Sequence, residues 1–174
     1  MKKFLLLAVV AFSAIAAKAQ VYVGGEVGFW HNDDAKSTQV TISPEVGYTF
    51  NEKWSAGVAL GFSHYKQDES KVTAFAINPY ARYTYYKTGI VNLFVDGGVD
   101  FTTAKPKDGD SATAFGIGFK PGVALNVTDN ISFVAHFGFL GYQDADDELS
   151  SVINKGFGFD FSSYNMSFGF YYNF

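Results

Sequence analysis

Seven ionisable residues lie inside segments that are otherwise poor in charge: Glu26, Glu45, Arg82, Asp96, Asp100, Lys120 and His136. Four carboxylates, two permanent cations and an imidazole can form a buried ion-pair network, or line a path for ions. Buried charges persist only when paired and hydrogen-bonded. The spacing therefore predicts a network in which Arg82 and Lys120 are shared among Glu26, Glu45 and Asp96, with Asp100 higher and nearer water. It leaves the individual pairs open. Hydrolytic chemistry is a poorer fit, because a serine nucleophile needs a base and an orienting acid within hydrogen-bond reach. None of His31, His64 or His136 has a serine two residues away, and Ser63 and His64 are adjacent, so on a strand they point to opposite faces. The acidic runs Asp33-Asp34, Asp108-Gly109-Asp110 and Asp144-Ala145-Asp146-Asp147-Glu148 offer oxygen ligands, but none has the spacing of a calcium loop. They read as solvated surface loops. No cysteine is present, so thiolate metal sites and disulfides are excluded, and no cofactor motif appears.

These charges must be positioned by strands. Alternation of bulky apolar with small or polar residues recurs at period two in eight segments, near 20–31, 37–50, 54–66, 72–86, 90–103, 111–127, 131–142 and 156–174. In the second, Val40, Ile42, Val46, Tyr48 and Phe50 share one face, and Thr41, Ser43, Glu45, Gly47 and Thr49 the other. In the sixth, Phe115, Ile117, Phe119, Val123, Leu125 and Val127 oppose Ala114, Gly116, Gly118, Lys120, Gly122 and Asn126. The seventh sets Ile131, Phe133, Phe137 and Phe139 against Ser132, His136 and Gly138. All seven ionisable residues fall on the small-residue face. Tight turns at Asn51-Glu52-Lys53, Lys87-Thr88-Gly89 and Thr128-Asp129-Asn130 alternate with longer polar links at Asn32 to Lys36, Gln67 to Lys71, Ala104 to Asp110 and Gln143 to Lys155. That is the layout of an up-and-down barrel.

The bulky face must point to an apolar solvent. An eight-stranded barrel has room for one set of interior side chains, and this aromatic set would overfill it. The opposite face carries too few charges for a soluble surface. Composition agrees: aromatics reach 18% and charged residues only 17%, below the quarter or so expected of a soluble domain. Residues 1–19 have a basic head (Lys2, Lys3), an apolar run from Phe4 to Ala17 and an Ala17-Lys18-Ala19 cleavage site, the form of a signal peptide. The expected organisation is this leader followed by one barrel domain over residues 20–174. Cleavage removes three of the 13 basic residues and none of the 17 acidic ones, which argues against nucleic acid as a partner. Tyr48, Trp54, Tyr83, Tyr85 and Tyr172 near the short turns, and Phe29, Phe62, Phe101 and Phe139 near the loops, form two expected interfacial girdles. Phe157, Phe159 and Phe161 break the parity that holds from Tyr164 onward. Either a bulge near Ser162-Ser163 restores the register or these phenylalanines belong to the loop side. Pro44, Pro79 and Pro121 each remove a ladder donor and predict bulges or local bends.

The last strand ends in Ser167-Phe168-Gly169-Phe170-Tyr171-Tyr172-Asn173-Phe174. In hairpin count, interior charges and this terminal strand, the chain resembles the small OmpA/OmpX-like barrels grouped as the outer membrane protein beta-barrel domain family. The resemblance implies an all-β, eight-stranded antiparallel transmembrane barrel with a polar, largely plugged lumen, integral to the outer membrane of a Gram-negative bacterium. It makes Ser167, Gly169, Tyr172 and Phe174 a C-terminal insertion signal read by the barrel-assembly machinery. It further implies a monomer in contact with outer-membrane lipid and lipopolysaccharide, without a cofactor. The role it implies is non-enzymatic: envelope integrity and display of surface loops, with adhesion or ligand contact. The alternatives are a narrow porin-like channel and a lipid-modifying enzyme. OmpA-type chains often carry a peptidoglycan-binding domain; this sequence ends at Phe174, so cell-wall tethering by that route is not expected. Gln143 to Lys155, the longest loop, is the candidate for partner contact, and the sequence names no partner for it.

Overall fold

A computed structural model describes residues 20–32, 37–67, 70–106, 110–149, 153, 155–161 and 166–174. The leader therefore lies outside the described residues, as do Asp33, Asp34, Asp108, Ser162 and Ser163. Ten strands run along the chain: β1 (Val21–Asn32), β2 (Ser37–Thr49), β3 (Trp54–Gln67), β4 (Ser70–Thr88), β5 (Val91–Pro106), β6 (Ala112–Asn126), β7 (Ile131–Phe137), β8 (Phe139–Ala145), β9 (Gly156–Asp160) and β10 (Met166–Asn173). All pair antiparallel with their neighbours. β7 and β8 together make the seventh wall strand and β9 and β10 the eighth, and β1–β10 pairing closes an eight-stranded barrel.

Each short turn has its own local device. The Asn51 side chain accepts from the amides of Lys53 and Trp54, at 2.9 and 3.0 Å. Thr128 Oγ1 accepts from Asn130 and Ile131 in the same way, and Gly89 takes a left-handed φ of 51°. These side-chain turns and the glycine fix strand register at one end of the barrel.

The bulky parity faces outward. Ile117, Phe119, Phe133, Phe168 and Phe170 are each at least half exposed. Cross-strand aromatic pairs stud this outer face, Phe62 with Phe75 and Phe101 with Phe115, each at a centroid separation of 5.2 Å. Trp54 and Tyr83 meet at 4.8 Å beside the short turns, and Tyr172 and Phe174 at 5.0 Å.

Phe139 departs from the expected girdle. It is buried on the inner side, whereas its neighbours Leu140 and Tyr142 face out. The cause is one extra residue. β6 pairs with β8 at Phe119↔Leu140 and with β7 at Gly122↔His136, so three residues oppose two and the parity inverts across Gly138. Gly138 takes a φ of 80°, which permits the bulge. Pro121, which has no amide to give, is one of the two β6 residues opposite the bulge. Pro44 and Pro79 themselves produce no register shift. The ladder lapses beside each and resumes in the same register, while a shift the prolines did not predict falls between Thr84 and Tyr86.

On the other flank, Phe139 pairs with Asp160 and Phe137 with Met166, so the register steps on this side of Gly138 as well. Across that step the outward face passes from odd residues (Phe157, Phe159) to even ones (Met166, Phe168). A valine at Gly138 would combine a β-branched side chain with a positive φ, and its Cβ would fall 2.2 Å from the Phe161 ring. Gly138→Val is expected to lower stability by about 2 kcal/mol or more, as a shifted urea midpoint of the barrel refolded in vesicles.

Candidate functional site

The register sets Arg82 directly across from Asp96, and Asp96 across from Lys120, all on the inner face. Arg82 forks onto Asp96, with Nε donating to Oδ1 at 2.7 Å and Nη2 to Oδ2 at 2.8 Å. Such a bidentate charge-assisted pair is among the stronger hydrogen-bonded arrangements available to side chains. Nη2 also donates to the Tyr171 hydroxyl at 3.1 Å and lies 3.8 Å from Glu45 Oε1. Glu45 in turn accepts from the Tyr171 hydroxyl at 2.9 Å and from the Tyr80 hydroxyl. Arg82, Glu45 and Asp96 are all buried.

His136 extends the network toward the opposite wall. Its Nδ1 lies 2.7 Å from Glu26 Oε1 and its Nε2 2.8 Å from Asp96 Oδ2. Both ring nitrogens face carboxylate oxygens, an arrangement that the doubly protonated ring satisfies in full. Ser167 Oγ donates to the same Glu26 oxygen at 2.9 Å. Lys120 stands apart from this group. Arg82 and His136 already occupy both oxygens of Asp96, and Lys120 pairs instead with Asp100 at 2.7 Å, so the expected sharing of Lys120 among Glu26, Glu45 and Asp96 does not occur. Asn78 donates to the same Asp100 oxygen at 2.6 Å, and among the described residues its buried Oδ1 atom has no hydrogen-bond donor.

Four inward aromatics complete the layer and do not stand out in the sequence: Tyr22, Tyr80, Phe94 and Tyr171. The Arg82 guanidinium carbon sits 3.9 Å from the Phe94 centroid and 5.2 Å from those of Tyr80 and Tyr171, a cation–π cage. Parity is the available signal, since Tyr80 stands two residues before Arg82, Phe94 two before Asp96, and Tyr171 two after Gly169. Glycines on neighbouring strands make the room. A Cβ at Gly47 would fall 2.1 Å from the Tyr22 ring, at Gly122 2.3 Å from the Phe94 ring, and at Gly24 2.4 Å from the Tyr171 ring.

The layer divides the lumen. Toward the short turns lies a cavity of about 590 Å³, whose inner end is formed by Tyr22, Arg82, Phe94 and Tyr171. On the loop side lies a chamber of about 130 Å³ lined by Glu26, Glu45, Asn78, Asp96, Lys120 and His136. The two share no lining residue.

The other candidate chemistry is not gathered into a site. His64 is exposed and contacts Thr73 Oγ1 at 3.1 Å, and the His31 side chain lies outside the described residues. Among the described residues no three metal-ligating side chains cluster. Of the terminal strand's four residues, Tyr172 and Phe174 face outward, Ser167 reaches Glu26, and Gly169 packs so closely on β1 that a Cβ would meet the Gly25 carbonyl at 2.3 Å.

A closed up-and-down barrel with an aromatic outer face and a charged inner layer is an integral outer-membrane protein, crossing the bilayer with strands. The chain belongs to the outer membrane protein beta-barrel domain family, which matches residues 4–174. No curated protein sequence matches it. Among solved structures it is similar to neisserial surface protein A, with a TM-score of 0.54 and 17% identity over 88% of this chain and 96% of that one. It is also similar to a major outer membrane protein from Thermus thermophilus, with a TM-score of 0.53 and 12% identity over 89% and 98% of the two chains. At these identities the likeness is one of fold.

Removing Arg82 leaves Asp96 and Glu45 buried without their cation. Arg82→Ala is expected to cost about 3–5 kcal/mol in the urea unfolding of the vesicle-bound barrel. Arg82→Met combined with Asp96→Leu should recover a large part of that loss, because the apolar pair leaves less charge unmatched. Equal loss in both would mean that cage packing, and not ion pairing, carries the stability.

Proposed function

We propose that the protein is a monomeric, non-enzymatic barrel that strengthens the outer membrane and displays its long loops outward, with a lumen that does not conduct. The observation that carries the reading is the undivided layer of side chains from Ser167 and Glu26 through His136, Asp96 and Arg82 to Tyr171 and Glu45, with separate cavities on either side. A water-filled channel needs a continuous path, and this layer interrupts it with ion pairs that would each have to be broken. Of the described histidines, His136 bonds carboxylates and His64 the exposed Thr73 hydroxyl, and no serine–histidine–acid set forms among the described residues.

The reading extends to the two ends of the molecule. Residues 1–19 serve as a cleaved export leader. Ser167, Gly169, Tyr172 and Phe174 serve as the signal for barrel assembly, since two of them face outward and two pack inward on the closing strand. The acidic loop after β8 is the surface offered to partners, and lipopolysaccharide with bridging divalent cations is the proposed contact. Adhesion rests on this loop alone.

Planar-bilayer recording tests the closed lumen. Wild-type protein, shown to be folded, is expected to be silent, whereas Arg82→Ala gives small steps and Lys120→Ala, which lies outside the central layer, stays silent. Stable steps in wild type would make the inner charges a conduction site.

The loop carries its own expected pH response. Asp146 accepts the Thr113 backbone N–H at 2.7 Å and the Thr113 hydroxyl at 2.9 Å, and those bonds, the backbone one foremost, hold its carboxyl below its ordinary value. A lowered folded value means that the stabilisation is present above the unfolded value and is lost as pH falls through the folded one. Hydrogen exchange at the Thr113 amide should therefore remain protected at neutral pH and accelerate, after correction for intrinsic rates, below about pH 4. Asp146→Asn should show the weaker protection at both pH values.

A further inference from the structure

The layer that divides the lumen is crossed by a file of hydroxyls. Tyr22 lines the cavity on the short-turn side, and Tyr80 and Glu45 line the chamber on the loop side. The Tyr22 and Tyr80 hydroxyl oxygens lie 2.5 Å apart, and the Tyr80 hydroxyl donates to Glu45 Oε1. With its hydrogen committed to Glu45, Tyr80 meets Tyr22 as an acceptor, so Tyr22 donates. Both hydroxyls therefore point the same way, from the short-turn cavity toward the carboxylate. Glu45 Oε2 accepts from the Tyr171 hydroxyl at 2.9 Å, and Arg82 Nη2 stands 3.8 Å from Oε1. Tyr171 also lines the short-turn cavity, but its oxygen accepts from the Arg82 guanidinium, so a proton arriving there would have to settle against that cation. Tyr22 and Tyr80 give the freer route.

The neighbouring strands leave room for this file. A Cβ at Gly47 would strike the Tyr22 hydroxyl oxygen, and one at Gly57 the Tyr80 hydroxyl oxygen. The two oxygens thus occupy volume that only glycine leaves free. Hydrated ions cannot follow them, because an ion needs an open cross-section and the buried pair of Arg82 and Asp96 fills it. A proton needs no such opening. It crosses by exchange between covalent and hydrogen bonds along groups already in place, the device by which ionisable residues inside membranes relay protons.

We propose that Tyr22, Tyr80 and Glu45 form a proton relay through a lumen closed to other ions, an activity that rests on the closed lumen proposed above and goes beyond it. A hydronium in the short-turn cavity gives a proton to the Tyr22 oxygen as the original Tyr22 proton passes to Tyr80 and that of Tyr80 to Glu45 Oε1. Three O–H bonds break, at the hydronium and at each tyrosine, and three form, at Tyr22, Tyr80 and Glu45. Glu45 then releases its proton to water in the loop-side chamber, which it lines. Rotation of the two hydroxyls restores their starting directions. One proton enters, one leaves, and every residue ends in the state in which it began. Passage in the other direction runs through the same steps in reverse.

The test uses the mature barrel in phosphatidylcholine vesicles, with valinomycin and equal potassium on both sides to remove the membrane potential. A small acid step outside is followed by an enclosed pH dye, and a sodium step, in a parallel preparation, by an enclosed sodium dye. Wild type is expected to pass protons faster than protein-free vesicles and sodium no faster. Tyr80→Phe and Glu45→Gln, each of verified fold, are expected to lower the added proton rate by roughly tenfold or more, since each removes an exchangeable group and keeps its volume. Tyr142→Phe, on the outward face, should leave the rate unchanged. A wild-type proton rate equal to that of protein-free vesicles, one that survives both substitutions, or one lowered equally by Tyr142→Phe would overturn the relay and leave the closed lumen standing. Sodium entering together with protons would mean a water-filled path and would overturn both.

Discussion

A guanidinium in a narrow barrel has nowhere to go, and the rest of the interior is organised around that constraint. Arg82 is buried in a lumen only wide enough for one set of side chains, so its charge is met by fixed neighbours and not by water. Asp96 takes the fork, Glu45 and Tyr171 take the remaining edge, and aromatic faces cover the plane. Asp96, Glu45 and Tyr171 come from three different strands. The position of one residue thus depends on the register of β2, β4, β5 and β10 together.

That dependence explains the small residues. A barrel lined with bulky side chains would be too full to admit the cage, and one lined only with glycine would leave cavities at the cost of packing. The inner face resolves this by pairing large with nothing: Tyr22 lies over Gly47, Phe94 over Gly122, Tyr80 over Gly57. The same glycines leave the outer face unaffected, because alternate residues belong to opposite sides. Lipid supplies the solvent for the outer face, and charge pairing supplies the order of the inner one.

The strands and their two faces are legible in the sequence because period two is a local property. Every one of the seven inner charges can be assigned to the lumen from parity alone. Which charge meets which cannot, because pairing depends on register between strands and on competition: Lys120 faces Asp96 in register but loses it to Arg82 and His136. Phe139 is misplaced by parity for a related reason. A single inserted residue at Gly138 inverts the faces of β8, and a glycine in a strand looks the same whether it is bulged or regular. Tyr22, Tyr80, Phe94 and Tyr171 are readable by parity, yet assigning large aromatics to the lipid as a class hides them. Phe157, Phe159 and Phe161 do announce an irregularity, and the register step beside Gly138 becomes visible only once both neighbours of β7 and β8 are known.

The inner layer has a second consequence, for closure. The junction between first and last strands is the one place where chain connectivity gives no help, and here its ladder is short. The side chains make up for it. Ser167 of β10 bonds Glu26 of β1, and Tyr22 of β1 packs on Tyr171 of β10 at 5.1 Å. Through Glu45 and Arg82, Tyr171 is further tied to β2 and β4, and through His136 the Glu26 carboxylate is tied to β7 and β5. A short ladder clasped by buried polar contacts at its upper end holds the first and last strands in register. The charges that occlude the lumen are, on this argument, the same groups that secure the closing seam.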